Sequence, residues 1–262
     1  MSQNPTTNRP AAHSLADLPD PTAILFDLDG TLVDTVAVRV ASWVEAFRRF
    51  DIAVDRQLLP RYMGSDGRWL AREVARAAGH EMDWATSDEI DRLAGSLFDK
   101  LNTAPQPLPG AIELLTALGQ TGERSRERSG ERSGERSGLT FCIATASQPG
   151  QVATSVASLR LPTPPPIVDA GHVENAKPEP DLLFAAAAQL DVPPDRCWYV
   201  GDSVWDMMAG SRAGMIGVGV TTGAVDAAAL LEAGASVALP DLEALLAELR
   251  RRGLLAAALL GR

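Results

Sequence analysis

The stretch AILFDLDGTLVDT, residues 23–35, joins a short apolar run to three aspartates. The run from Ala23 predicts a buried strand that ends at Asp27, because a short apolar segment followed by polar residues suits a strand covered on both faces. Asp29 follows two positions later, and Gly30 then permits a sharp turn. These carboxylates could form an acidic turn, cap a helix, bind a metal, or act as a nucleophile and its proton-transfer partner.

The second part of the chain alternates strand patterns with helix patterns, which indicates a Rossmann-like α/β core with a parallel sheet covered on both faces. Ligands of such sheets bind beyond the carboxyl ends of the strands. Asp27 ends the first predicted strand, Thr145 the second and Asp202 the fourth, so the sequence places its chemistry at this edge. The later strands are predicted at LTFCIAT (139–145), PIVDAG (166–171), CWYVGD (197–202) and IGVGVT (216–221).

The region between the first strand and the alternating part is predicted to be all-helical. Residues 36–103 place apolar residues at helical spacing and show no strand pattern. We therefore expect a helical domain of residues 36–103, inserted into a core made of residues 21–35 and 104–262.

Two segments are predicted to lack regular structure. The first 20 residues are rich in Pro, Asn and Thr and read as a disordered tail. Residues 121–138 repeat Glu-Arg-Ser-Gly, in which the Ser-Gly pairs disfavour a helix. Because glutamates balance the arginines, this segment indicates a flexible low-complexity insertion in the core rather than a nucleic-acid-binding arm.

Composition excludes some classes of partner. The 262 residues carry a formal net charge of −10, which opposes binding to nucleic acid or to an anionic membrane. Cys142 and Cys197 lie in apolar runs and are expected to be free core thiols. The N-terminus has no apolar signal core and the apolar C-terminus is too short to span a bilayer, so we expect a cytoplasmic protein, either a monomer or a homodimer.

Four segments together resemble a known family. DLDGTLVDT, CIATAS, KPEPD and GDSVWD are similar, in this order, to the four motifs of the haloacid dehalogenase-like (HAD) hydrolases. The resemblance is to the phosphoglycolate phosphatase and β-phosphoglucomutase-like branch, whose helical cap corresponds to residues 36–103, here called the cap. It implies a Mg²⁺ cofactor and an aspartyl-phosphate intermediate.

The resemblance implies roles for the first motif. Asp27 matches the nucleophile, whose carboxylate also binds Mg²⁺, and Asp29 matches the general acid/base, whose backbone carbonyl reaches the metal. The backbone amides of Leu28 and Asp29 are expected to face phosphate oxygens. Asp34 is expected at the hinge of the cap or as a helix N-cap.

The later motifs supply the remaining parts. Thr145 and the amide of Ala146 match the phosphoryl-binding pair, and Lys177 matches the lysine that offsets charge on the nucleophile. Asp202 matches a metal ligand, and Asp206 is expected to bind Mg²⁺ directly, through water, or to orient Lys177. Oxygen ligands of this kind suit Mg²⁺.

Other positions are ambiguous from sequence alone. Ser147 is expected either to assist phosphate binding or to cap the next helix. In the cap segment RYMGSDGRW (61–69), Arg61 and Arg68 are candidates for holding a second anionic group, with surface charge as the alternative.

The sequence therefore predicts a Mg²⁺-dependent phosphatase acting on a small phosphorylated metabolite. Asp29 disfavours dehalogenase chemistry, and Lys100 alone at the far end of the cap disfavours a phosphonatase. Arg39 stands where sugar-phosphate mutases often have His, which weakens the mutase alternative without removing it. A non-catalytic phosphate-binding regulatory protein is the third alternative.

Overall fold

The computed structural model describes residues 14–129 and 138–255 of the chain. Its strands are β1 Ala23–Phe26, β2 Val33–Asp34, β3 Gln106–Pro107, β4 Thr140–Ala144, β5 Ile167–Val168, β6 Cys197–Gly201, β7 Ile216–Val220 and β8 Val237–Leu239. Six of them form one parallel sheet in the order β5-β4-β1-β6-β7-β8. Ala23 of the central strand β1 pairs with Thr140 on one side and with Cys197 on the other. The predicted α/β fold class is confirmed.

Helices cover both faces of this sheet and also form the cap. They are α1 Val36–Arg48, α2 Gly67–Ala77, α3 Trp84–Leu101, α4 Ala111–Ser129, α5 Pro149–Ser158, α6 Asp181–Leu190, α7 Val204–Arg212, α8 Ala227–Glu232 and α9 Leu242–Arg251. Side chains alternate along β1, so Phe26 packs in the cluster that contains Leu114 of α4 and Leu245 of α9. Leu25 packs on the opposite face with Leu183 of α6.

The cap has an apolar core of its own. Trp43 and Phe47 from α1 pack with Leu70 from α2 and Ile90 from α3. The chain enters the cap after β2 and leaves it before β3, and these two strands pair antiparallel, with Asp34 opposite Gln106. Asp34 therefore lies at the predicted hinge. Its alternative role as a helix cap is wrong, because Thr35 occupies the N-cap position of α1.

Helix α4 is longer than the sequence pattern suggested. Its backbone remains helical through Ser129, whereas the flexible insertion was expected to begin at residue 121. Residues 123–129 contain only Glu, Arg and Ser, and Glu and Arg favour a helix. The first Ser-Gly pair of the repeat, which disfavours a helix, comes only at residues 129–130, so the helix continues to Ser129. The prediction for residues 130–137 falls outside the described residues.

The N-terminal segment is ordered earlier than expected. Residues 14–20 were predicted to belong to a disordered tail, but Leu15 and Leu18 are buried in the core. Arg252, directly after α9, donates to the Leu18 carbonyl at 2.9 Å, to Asp20 Oδ1 at 2.8 Å and also to the Leu15 carbonyl. The tail prediction is wrong for residues 14–20, and residues 1–13 lie outside the described part.

Cys142 and Cys197 are free, buried thiols, as expected, and burial raises their pKa to about 12 and about 11.

Among the helices of the described residues, none combines the length and apolar character that crossing a membrane requires.

Replacing Arg252 by Ala should destabilise the fold. The change removes a buried cation and leaves the Leu18 carbonyl without its donor, at a cost of about 1–3 kcal/mol in the free energy of unfolding. Chemical denaturation measures this loss. Arg251→Ala is the matched control, because Arg251 is exposed and pairs with the same Glu248 at 2.7 Å. Equal stability of the two variants would contradict the anchoring role of Arg252.

Candidate active site

The polar residues singled out by sequence meet at one edge of the sheet. Asp27 directly follows β1, Thr145 follows β4 and Asp202 follows β6, and all three are buried. A cavity of about 730 Å³ lies between this edge and the cap. Because parallel strands bring their carboxyl ends to one side, residues 175 positions apart become neighbours.

Three carboxylates converge at the bottom of this cavity. Asp27, Asp202 and Asp206 each place an oxygen within 4.8 Å of the others. Burial raises the pKa of Asp27 to about 7, although the ammonium of Lys177 opposes this rise. Burial and the other two carboxylates also raise the pKa of Asp202 well above its ordinary value. Three buried carboxylates against one ammonium leave negative charge, and this oxygen-only donor set fits a divalent cation such as Mg²⁺.

Lys177 supplies the cation within this group. Its ammonium donates to Asp27 Oδ1 at 2.6 Å and to Asp206 Oδ1 at 2.7 Å, with 1% of its side chain exposed. Burial alone would lower the pKa of Lys177, but Asp206 and Asp27 together raise it above its ordinary value. Lys177 is therefore charged and fixed beside the predicted nucleophile.

Asp206 is fully engaged by hydrogen-bond donors. Its Oδ1 also accepts from the Tyr199 hydroxyl at 2.7 Å, and its Oδ2 accepts from the amide and the hydroxyl of Ser203 at 3.0 and 2.5 Å. Burial would raise the pKa of Asp206, but Lys177 and these hydrogen bonds hold it below its ordinary value. Of the three roles predicted for Asp206, the structure shows the contact with Lys177.

Asp202 has a different environment. Its Oδ1 accepts from Thr31 Oγ1 at 2.8 Å, whereas its Oδ2 faces backbone. A Cβ atom added to Gly30 would lie 2.4 Å from this Oδ2, and one added to Gly223 would lie 1.8 Å away. Gly30 also has a φ of +86°, a conformation that other residues rarely adopt. Both positions therefore require glycine.

The loop after β7 closes this side of the site and was missed by the sequence analysis. Thr222 Oγ1 donates to the carbonyl of Gly30 at 2.7 Å, which holds the loop against the first motif. The polar residues after strand β7, Thr221 to Gly223, were the available signal, because the same strand-end rule that found Asp202 applies to them.

Asp29 lies on the cap side of Asp27 and accepts three hydrogen bonds. Thr35 Oγ1 donates to Oδ1 at 2.7 Å, Arg39 donates to Oδ2 at 2.7 Å, and the Ser147 hydroxyl donates to Oδ2. Burial would raise the pKa of Asp29, but Arg39 and the two hydroxyls hold it below its ordinary value. Gln148 occupies the N-cap position of α5, so the capping alternative for Ser147 is wrong.

The predicted phosphate-binding residues are placed as follows. Thr145, Ala146 and Lys177 line the cavity. Thr145 Oγ1 accepts from the Ser147 amide at 3.2 Å. The Leu28 side chain is buried in the core, and its carbonyl accepts from the Leu32 amide at 2.9 Å. The use of the Leu28 amide for phosphate stays a prediction.

The two cap arginines differ. Arg68 lines the cavity and pairs with Asp66 at 3.2 Å. Arg61 is exposed, is not among the residues that line the cavity, and accepts a hydrogen bond from the Trp205 indole through its carbonyl at 3.2 Å. Arg61 therefore lies outside this cavity, and its role in holding an anionic group of the substrate stays a prediction.

Comparison with known proteins identifies the family. The model of the haloacid dehalogenase-like hydrolases matches residues 21–214. The chain belongs to the haloacid dehalogenase-like hydrolases. The resemblance carried by the four motifs is thereby confirmed, and the six-stranded sheet with its helical cap is the HAD fold.

Similar proteins include a named phosphatase and a named phosphomutase. The chain is 31% identical to the validoxylamine A 7'-phosphate phosphatase of Streptomyces hygroscopicus subsp. limoneus, over 83% of this chain and 92% of the relative. It is 26% identical to the β-phosphoglucomutase of Bacillus subtilis, over 77% and 84%. A hydrolase of known structure from Pseudomonas syringae superposes with a TM-score of 0.75 at 31% identity, over 88% of this chain and 98% of that one.

Chelator-treated protein should lose stability as the pH rises from about 5.5 to 7.5. Folding raises the pKa of Asp27 and Asp202, so in this range the folded state still binds protons that the unfolded chain has already lost. The free energy of unfolding therefore falls as the pH rises. Stability that is fully present below the unfolded pKa, about 3.9, is thus lost as the pH approaches the folded pKa. Thermal melting in EDTA should show a fall of a few degrees, at about 2–4 °C per kcal/mol.

Added Mg²⁺ should raise the melting temperature more at pH 7.5 than at pH 5.5, because protons compete with the cation for the same oxygens. Asp27→Asn removes one titrating group and should flatten the pH dependence measured in EDTA. An identical pH dependence in the wild type and in Asp27→Asn would contradict the assignment.

Proposed function

We propose that the protein is a Mg²⁺-dependent phosphatase that hydrolyses the phosphate monoester of a small metabolite. The observation that carries this proposal is the placement of Asp27, held at 2.6 Å by Lys177 beside Asp202, with Asp29 next to it on the cap side. A fixed carboxylate nucleophile, a charged neighbour and a second carboxylate for proton transfer are the parts that covalent phosphoryl transfer requires.

The reaction proceeds in two steps. The carboxylate of Asp27 attacks phosphorus, the bond between phosphorus and the leaving oxygen breaks, and Asp29 gives a proton to that oxygen. Water then attacks the aspartyl-phosphate and gives its proton to Asp29, which releases phosphate and restores Asp27. In the structure Asp29 accepts all its hydrogen bonds, which is the form that takes the proton in the second step.

The remaining residues bind and orient. Thr145 and the amide of Ala146 hold phosphoryl oxygens, and Lys177 offsets their charge. Asp27, the backbone carbonyl of Asp29 and Asp202 would hold Mg²⁺, which supplies charge neutralisation when bound. We assign Asp206 to orienting Lys177, because its oxygens already accept four hydrogen bonds.

The charges of the cavity favour a substrate with a single phosphate. Of the described residues that line it, each arginine is already paired: Arg39 with Asp29, Arg68 with Asp66 at 3.2 Å, and Arg92 with Asp88 at 3.1 Å. Further carboxylates, including Asp91 and Asp99, line the cap side. A neutral, hydroxyl-rich leaving group suits this wall better than a second anion, and the phosphatase relatives are named for sugar-like phosphates. We therefore propose a sugar or polyol monophosphate.

Asp27→Asn should abolish phosphate release. The variant keeps the shape of the side chain but removes the nucleophile, so kcat should fall by at least about 10³-fold. A panel of sugar and polyol monophosphates, assayed for phosphate with Mg²⁺ and with EDTA, measures this. Asp34→Asn is the matched control, since it makes the same change seven residues away at the exposed position of β2, and it should keep nearly full activity. Full Mg²⁺-dependent hydrolysis by Asp27→Asn would contradict the proposed mechanism.

A phosphomutase is the second candidate, supported by the β-phosphoglucomutase relative. A mutase must hold an intermediate that carries two phosphates, and the paired arginines of the cavity offer little for the second one. With a hexose monophosphate and a catalytic amount of hexose bisphosphate, we expect inorganic phosphate to form faster than the isomeric monophosphate in ³¹P NMR. Faster isomerisation would favour the mutase, and binding of phosphate without turnover would favour a regulatory protein.

A further inference from the structure

Arg39 connects the cap to the site, and the family motifs assign it no role. It lies one turn into α1, and its Nη2 donates to Asp29 Oδ2 at 2.7 Å and to Ser147 Oγ at 2.9 Å. Its Nη1 donates to Gln151 Oε1 on core helix α5 at 3.0 Å. One guanidinium therefore reaches three acceptors that belong to the core.

The guanidinium is held in this place from the cap side. Its central carbon lies 3.6 Å from the centre of the Phe98 ring on α3, a cation–π arrangement. Gln151 also donates to the carbonyl of Gly95 on α3 at 3.4 Å, so the same core side chain contacts two cap helices, α1 and α3. Only 19% of the Arg39 side chain is exposed. The arrangement is thus a buried junction between cap and core.

The junction determines how Asp29 is oriented. Arg39 contacts Asp29 directly and also donates to the Ser147 hydroxyl, which leaves the proton of that hydroxyl to point at Asp29. Thr35, at the start of the same helix, holds the other oxygen of Asp29. A carboxylate that accepts from three fixed donors is held in one orientation and stays unprotonated, which is the form that can take a proton.

We propose that Arg39 is a positioning residue for the second half of the reaction, in which it orients Asp29 to take the proton of the water that cleaves the aspartyl-phosphate. This inference rests on the proposed function, which gives Asp29 its role in proton transfer. Lysine cannot substitute fully, because a single ammonium lacks the planar fork that reaches Asp29 and Gln151 at once.

The proposal predicts which step slows when Arg39 is replaced. In Arg39→Ala the first step still forms the aspartyl-phosphate, but water attack becomes slow, so kcat should fall by about 10–100-fold. With p-nitrophenyl phosphate, rapid mixing should then show a burst of about one p-nitrophenol per enzyme molecule, followed by slow turnover. Acid-quenched protein should carry phosphate in the steady state, as detected by intact-mass measurement.

Two controls separate this role from a structural one. Guanidinium ion should restore part of the activity of Arg39→Ala, and Arg39→Lys should fall between the wild type and Arg39→Ala. Arg48→Ala, on the exposed face of the same helix where Arg48 pairs with Glu45, should show wild-type turnover, no burst and no response to guanidinium.

The outcomes distinguish this proposal from the proposed function. Arg39→Ala with lowered turnover but no burst and no trapped phosphate would overturn the positioning role in the second step, and so would unchanged turnover. Wild-type protein that releases no phosphate from any ester with Mg²⁺, or Asp27→Asn that still becomes phosphorylated, would overturn the proposed function itself.

Discussion

The burial of like charges at the carboxyl edge of the sheet is the constraint on which the rest of the structure depends. Asp27, Asp202 and Asp206 are buried within a few ångströms of one another, and such charges are costly unless they are paired. Lys177 offsets part of the repulsion. The remaining negative charge fits a divalent cation, since buried charges that stay unpaired do not stabilise a fold.

This constraint explains details around the site that otherwise look unrelated. The four donors on Asp206 keep one carboxylate ionised without bringing in another cation. The glycines at 30 and 223 let backbone approach Asp202, where any side chain would collide with its oxygen. Asp27 and Asp29, only two residues apart, therefore have opposite environments, since burial raises the pKa of the first and Arg39 with two hydroxyls lowers that of the second. Opposed environments of this kind are how adjacent acids take different roles.

The fold and the centre of the site could be predicted from the sequence because both follow local rules. Apolar runs predicted the strands, and the polar residue after each run predicted the site, since strand ends of a parallel sheet share one edge. The features that the sequence did not predict depend on contacts between residues that are far apart in the chain. Arg39 acts through a long side chain packed on Phe98, and Gly223 matters only because β7 lies beside β6. Leu15 and Leu18 are two apolar residues in a polar segment, and their burial in the core cluster depends on contacts with residues far along the chain.

The excess of carboxylates in the cavity has a further consequence for how a substrate enters. A phosphate group is repelled by the cap wall that contains Asp91 and Asp99 and is attracted only where Lys177 and a bound cation outweigh the acids. Burial raises the pKa of Asp91 to about 6, so this side chain becomes charged only as the pH rises toward neutral. For the proposed monophosphate substrate, we expect repulsion on one side and attraction on the other to orient its phosphorus toward Asp27. The same repulsion acts against a molecule with an anionic group at each end, because one of the two ends must then face the cap.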